Sequence, residues 1–495
     1  MKRSLLLLVL FLLPAAAGAE TIRLSLADAI ARAVEKNLDL QVERYNPAQQ
    51  EAEYQKNRGI YNPVITFVTN YNDSTNYSAT LADNNYWTRT TQLNAGVSQL
   101  FASGATATLG FNNTYQNSDQ GAMGTGMSSY WQSSLGLNLS QPLLKNFGRE
   151  ATELNIDAAR LGKEASLEKL QGKLISTVAS VRNEYYKLYS LREELEVRKV
   201  SLELARRVLQ ETQARVKAGV MPAMEILNAE FGMASREKEL IDAERAVRDQ
   251  VDVVVQLLQF QPGTALETLE VPSKGRYEVA EQAEIQRALA NRPELKELKQ
   301  NLALLELQTR VAGNRTKPDL LLTASAASGG LGTTYPQDMD RLSSTQYPTW
   351  GVGLTFSYPL GNRAAENEYR KNRLKVDQKA LEIRNQEELI ANEVRSAVRA
   401  VEANYKQLDV ADRGRAFAEE RLRAWARKAE VGLATTKDVL DVENDLAAAK
   451  NNQIKAQVAY VNAITQLWKV TGQILEKEQI RLNLPDPDQL YAEVR

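Results

Sequence analysis

The chain has 495 residues, 25% of them charged, a net charge of −1, and neither Cys nor His. Disulfides, thiol chemistry, a lipid on an N-terminal Cys, zinc sites of the usual kind and His-based triads are excluded by that composition. With no basic block, nucleic acid is not an expected partner.

Residues 1–19 read as a secretory signal peptide. Met1-Lys2-Arg3 precedes an apolar run from Leu5 to Leu13, and Ala17-Gly18-Ala19 supplies small residues for cleavage before Glu20. That run is too short to cross about 30 Å of hydrocarbon, and no later one approaches the length of a transmembrane helix. An exported chain of this kind stays in the periplasm or crosses an outer membrane as strands. Residues 20–61 are expected to form periplasmic helices, stopped at Pro63.

Residues 62–142 change character. Between Asn62 and Leu144 the only charges are Asp73, Asp83, Arg89 and Asp119. Val64, Thr66 and Val68 alternate with Ile65, Phe67 and, further on, Tyr71; Leu135 to Ser140 alternates as cleanly. The polar partners are Ser, Thr, Asn, Gln and Gly. Roughly four strands of about ten residues fit here.

Residues 143–271 are expected as a long helical hairpin. From Leu143 to Met221 there is no Pro, and Leu167, Leu174, Val181, Leu188, Leu195, Leu202, Leu209 and Val216 recur every seventh place. The companion seam begins apolar (Val178, Tyr185) and turns basic (Arg192, Lys199, Arg206), which suits a sheet of helices with one wet face. A helix of some 70 residues is about 100 Å long, too long for one compact globule. Gly219 suits a left-handed position past its end, and Pro222 the first turn of the returning helix.

The second half repeats the first. Residues 272–317 are expected as periplasmic helices and 318–359 as two strands, with only Asp338, Asp340 and Arg341 charged between Leu320 and Leu360. Residues 360–475 form a second hairpin and 476–495 a tail. Adding 255 carries Ile30, Arg32, Ala33, Leu40 and Pro63 onto Ile285, Arg287, Ala288, Leu295 and Pro318. Adding 213 carries Val181, Leu188, Leu195 and Leu209 onto Val394, Val401, Leu408 and Leu422, and Gly219 onto Gly432. Thr435 with Asp438 reads as a capping box, with Asp in place of the usual Glu.

Tyr71, Tyr86, Trp87, Phe101, Tyr130, Trp131, Tyr347, Trp350 and Tyr358 cluster near strand ends, the pattern of an outer-membrane barrel. Four to six strands cannot close a barrel, and an open edge in lipid leaves backbone groups unpaired. Several protomers must share one: three would give about twelve or about eighteen strands. The expected class is an α+β membrane protein, a trimeric shared transmembrane β-barrel continued by a long periplasmic α-helical barrel.

The chain resembles the TolC-type outer-membrane efflux channels. The carriers are the tandem repeat over 22–475, the Pro-flanked strands, Ser140-Gln141-Pro142-Leu143-Leu144, and the corners Ala218-Gly219-Val220 and Val431-Gly432-Leu433 followed by Asp438-Val439-Leu440-Asp441. The resemblance implies a homotrimer in outer-membrane lipid, working with a periplasmic adaptor and an inner-membrane transporter in efflux or type I secretion. It assigns adaptor docking to Gly219, Val220, Val431, Gly432 and Leu433. It places Asp438 and Asp441 in an acidic ring at the tunnel mouth, where such rings favour cations.

The departures are Ala434, where some members carry a latching Arg, the absence of Cys, and four strands in the first half where two are usual. The additional hairpin, around Asn94–Tyr115, either enlarges the barrel or forms an outer loop. No catalytic, metal or cofactor site is expected. The competing reading is an exported coiled-coil scaffold with a soluble β region.

Overall fold

A computed structural model describes residues 21–77, 85–119, 127–431, 433–480 and 487–494. The expected signal peptide lies outside them. In chain order the elements are β1 (Thr21–Leu24), α1 (Leu26–Lys36), α2 (Leu38–Arg58), β2 (Val64–Tyr77), β3 (Asn85–Leu100), β4 (Thr106–Ser118), β5 (Ser129–Pro142), α3 (Arg149–Thr152), α4 (Leu154–Lys217), α5 (Met224–Leu258) and β6 (Ala265–Thr268). There follow α6 (Glu281–Asn291), α7 (Pro293–Arg315), β7 (Asp319–Gly332), α8 (Tyr335–Ser343), β8 (Pro348–Ser357), α9 (Arg363–Glu430), α10 (Thr436–Val470), α11 (Ile474–Lys477) and α12 (Pro487–Glu493). The order of the second half, from α6 to α10, restates α1 to α5 with two strands fewer.

The chain divides into two compact units. The described residues of one lie within Met1–Arg44, Lys169–Leu295 and Gln386–Pro485, and their regular structure is helical apart from the parallel pair β1–β6. Its core gathers Ile30, Ala33 and Leu40 from the first helices, Leu174, Val178, Val181 and Leu188 from α4, Val254 and Leu258 from α5, and Ile474. Tyr185 anchors it. Its hydroxyl lies 2.9 Å from the Leu24 carbonyl, touches the Glu270 carboxylate, and accepts from the Leu269 N–H at 3.0 Å. Ser25 caps α1 by accepting from the Asp28 N–H at 3.0 Å. The sequence repeat is a repeat of burial: Ile285, Ala288 and Leu295 are as enclosed as Ile30, Ala33 and Leu40.

The seven-residue ladder behaves unevenly. Leu174, Val181, Leu188 and Leu202 are buried in α4, and Val394, Val401 and Leu408 in α9. Toward the corners Leu209, Val216 and Leu422 are only half-buried. Leu167, at the opposite end of the ladder, is exposed as well, and an apolar seam that loses cover toward its ends is short of neighbours there.

The other unit comprises Tyr45–Glu168, Lys296–Asn385 and Asp486–Arg495. Its centre is a six-stranded antiparallel sheet in the order β2-β3-β4-β5-β7-β8. The additional hairpin is β3–β4, and it lies within the sheet. The register runs from Val64–Ser98 to Tyr77–Asn85 on one side and from Thr106–Ser140 to Asn117–Ser129 on the other. The long helix starts at Leu154, later than its Pro-free tract allows. Asn146 and Gly148 take φ of 60° and 94°, breaking the helix, and the single turn α3 intervenes.

Helix α8, between β7 and β8, was not anticipated from the charge map. Its Asp338 is fully buried and accepts from the Ser133 N–H at 3.1 Å and from the Ser133 hydroxyl. Gly330 and Gly332 permit the contact. A Cβ on Gly330 would stand 2.2 Å from the Asp338 carbonyl oxygen, and one on Gly332 would stand 2.6 Å from its nitrogen.

Candidate functional site: a two-faced sheet and two helix corners

The strand register sorts the side chains into two faces. On one, rows cross the sheet as Ile65–Val97–Leu109–Leu137 and Phe67–Ala95–Phe111–Leu135, and β8 adds Trp350, Val352, Leu354 and Phe356. Most of these are exposed: Ile65 and Trp350 are each 79% accessible. Tyr115 and Trp131 stack 4.8 Å apart beyond that band. Among the described residues of the six strands, the Asp73–Arg89 pair, 2.9 Å apart, is the charge on this face.

The opposite face is polar and nearly free of charge. Its rows read Val68–Asn94–Asn112–Ser134, Asn70–Gln92–Thr114–Gln132 and Ser98–Thr108–Asn138–Ser325. Gly96, Gly110 and Gly136 form a bare row between them. Among the described residues of the six strands, Asp319 at the start of β7 is the one charge on this face. An apolar face exposed as widely as a core, backed by an uncharged hydrophilic one, is the section of a wall between lipid and water.

Both long helices end by the same backbone device. At the first corner the Gly219 N–H donates to the Val216 carbonyl at 2.9 Å and the Val220 N–H to the Arg215 carbonyl at 3.1 Å. Gly219 has φ of 75° with open space around it. These are the two bonds of a Schellman cap. At the second corner the Leu433 N–H donates to the Lys428 carbonyl at 2.9 Å, the longer bond of the same motif. Gly432 lies outside the described residues. The apolar residue after such a cap normally folds back on its own helix. Here Val220, Val431 and Leu433 are 74%, 70% and 77% exposed. A groove of about 600 Å³ lies between the helix ends, lined by Leu204, Val208 and Thr212 of α4, Ala426 of α9, and Ala434 and Val439 after the corner.

Asp438 opens α10. Its carboxylate accepts from the Thr435 hydroxyl at 2.7 Å and the Thr435 N–H at 2.8 Å, while the Asp438 N–H donates back to Thr435 at 3.2 Å. The capping box read from sequence is formed in full. Those bonds from the Thr435 side chain and backbone hold the carboxylate below its ordinary 3.8. Asp441, three residues on, is exposed.

Sequence reasoning missed what fastens α10. Arg236 of α5 lies 3.6 Å from Glu443 of α10, both side chains buried. Arg198 of α4 pairs with Glu239 of α5 at 2.6 Å, and Lys455 of α10 with Glu194 of α4 at 3.4 Å. Arg421 of α9 holds Asp445 at 2.8 Å. No local signal marks partners so distant in the chain.

Comparison with known proteins agrees with this geometry. A family model described as outer membrane efflux protein matches residues 29–258 and 285–473. The pyoverdine export outer membrane protein OpmQ of Pseudomonas aeruginosa is 24% identical over 308 residues, 60% of this chain and 61% of that protein. The chain thus spans about three fifths of that relative's length. The outer membrane efflux protein BepC of Brucella suis is 25% identical over 365 residues, 73% of this chain and 77% of its own. The solved outer membrane protein VceC of Vibrio cholerae has the same fold, with a TM-score of 0.65 at 16% identity over 90% of this chain and 96% of that one. With the model matched across both halves of the repeat, the chain belongs to the outer membrane efflux protein family.

Proposed function

We propose that this chain is the outer-membrane exit duct of a tripartite efflux pump or type I secretion system. Three copies share one barrel, and the duct passively conducts cargo delivered by an inner-membrane transporter and a periplasmic adaptor. The observation that carries this reading is the sheet: six strands, both edges open, one face apolar and exposed, the other polar and almost free of charge. Such a sheet is stable in a bilayer only when closed by further strands.

The exposed Val220, Val431 and Leu433 support the assignment of the two corners, with Gly219 and Gly432, as the adaptor's docking site. Asp438 and Asp441, three apart at the start of α10, share a helix face. Repeated about a threefold axis, they would ring the mouth with negative charge.

Fractionation tests the whole. The protein should be recovered from outer membranes as a heat-modifiable oligomer that needs detergent, and a soluble monomer would overturn the proposal. Docking is tested separately. Val220→Glu combined with Leu433→Glu should abolish export while the oligomer still assembles in the outer membrane. Normal export by that variant removes the corners from the adaptor interface.

A further inference from the structure

We infer that the β3–β4 hairpin is a wall segment, so that the closed barrel has about eighteen strands and a correspondingly wide neutral lumen. The inference rests on the three-copy reading above and adds to it the composition and width of the wall.

The repeat identifies the inserted pair. Pro63 and Pro318 precede β2 and β7, and Pro142 and Pro359 close β5 and follow β8, so β2 and β5 correspond to β7 and β8. The surplus is β3–β4. Both of its outer edges are hydrogen-bonded, β3 to β2 and β4 to β5, along nearly their whole lengths. A surface loop would break the rows of side chains, yet both faces run through the hairpin without interruption. Val97 and Leu109 link Ile65 to Leu137 on the apolar side, and Asn94 and Asn112 link Val68 to Ser134 on the polar side.

The closing contacts follow from direction. Every neighbouring pair in the order β2-β3-β4-β5-β7-β8 is antiparallel, so β2 and β8 run in opposite senses. The free edge of β8 in one copy is therefore suited to pair antiparallel with the free edge of β2 in the next, apolar face continuing into apolar face. One copy has too few strands to close, because the practical minimum is about eight. Three copies give about eighteen. With strands about 4.8 Å apart and tilted by about 40°, opposite backbones stand roughly 35 Å apart, against roughly 24 Å for twelve strands. The inserted strands line the added lumen with Asn, Thr, Gln, Ser and Gly, and with no charge on that face. The wall is thus built to pass bulky solutes of either charge.

The natural absence of Cys makes the test clean. Single cysteines at Asn94 and Asn112 (polar face) and at Leu93 and Phe111 (apolar face) are reacted with a charged, water-soluble maleimide in proteoliposomes. Ser134→Cys and Leu135→Cys on β5 serve as reference, and copy number is measured on the same samples by native mass spectrometry. The expected result is labelling at least tenfold faster at Asn94→Cys and Asn112→Cys than at Leu93→Cys and Phe111→Cys, matching the β5 contrast, in a particle of three copies. Equal labelling within β3 and β4, with the contrast kept on β5, places the hairpin outside the wall and overturns the inference alone. Two copies would give about twelve strands and likewise overturn it. Loss of the contrast on β5 as well overturns the membrane-barrel reading beneath it.

Discussion

Asp438 has a bonding role that its neighbour Asp441 does not share. Its carboxylate is bonded to Thr435, so its charge is part of the start of α10. The signs follow from the depressed pKa. The stabilisation is full above the ordinary carboxylate value of 3.8 and is lost as pH falls through the lower folded value. Amide exchange at Val439 and Leu440, corrected for intrinsic rates, should therefore stay protected down to pH 3.8 and rise only below it. Thr435→Ala should speed that exchange about fivefold at neutral pH, the equivalent of roughly 1 kcal/mol for a lost cap. Asp441→Asn should leave exchange unchanged and reduce cation preference in planar bilayers. If Asp441→Asn loosens the turn as much as Thr435→Ala, the two acids are not separable.

At the scale of elements, two buried contacts fasten helices to their neighbours. Arg236 and Glu443 join α5 to α10 as a buried pair. Arg236 also reaches Glu239 at 3.4 Å, so it is removal of Arg236 that strands a charge, that of Glu443, at a cost of about 3 to 5 kcal/mol, whereas an apolar pair of similar volume is close to neutral. Arg236→Met alone should lower the thermal midpoint sharply, and adding Glu443→Leu should restore most of it; equal losses in the single and double variants would show the pair to be uncoupled. Helix α8 is held by Asp338, and Gly330→Ala would drive a methyl into the Asp338 backbone. Proteolysis within residues 335–343 should then accelerate in intact vesicles, with the sheet unaffected. Unchanged cleavage would mean that α8 is not clamped.

These contacts mark the limit of what the sequence made legible. The repeat was readable because burial follows the same offsets as identity, Leu40 with Leu295 and Val181 with Val394. The wall was readable because strands alternate with period two. Arg236 and Glu443 were not, since any of many charged helix residues could face solvent equally well. Helix α8 announced itself only through Thr334 and Pro336, a weak N-terminal signal inside a stretch otherwise poor in charge.

Across the whole molecule, charge is segregated. The chain is nearly neutral and the polar face of its sheet almost uncharged, while Asp438 and Asp441 sit one helical turn beyond a corner. In a wall of about eighteen strands the axis lies about 17 Å from the backbone, beyond the screening length of about 10 Å in 0.1 M salt. Each of the three charges that one substitution places on that wall is screened before it reaches an ion on the axis. A ring of acids at a constriction acts at close range. Asn112→Lys, on the polar face of β4, should therefore leave the reversal potential in a KCl gradient almost unchanged. Asp438→Asn with Asp441→Asn should move it most of the way to zero. Were Asn112→Lys to shift the potential as far as the double variant does, the wall would be narrow there, and selectivity would belong to the strands and not to the corners.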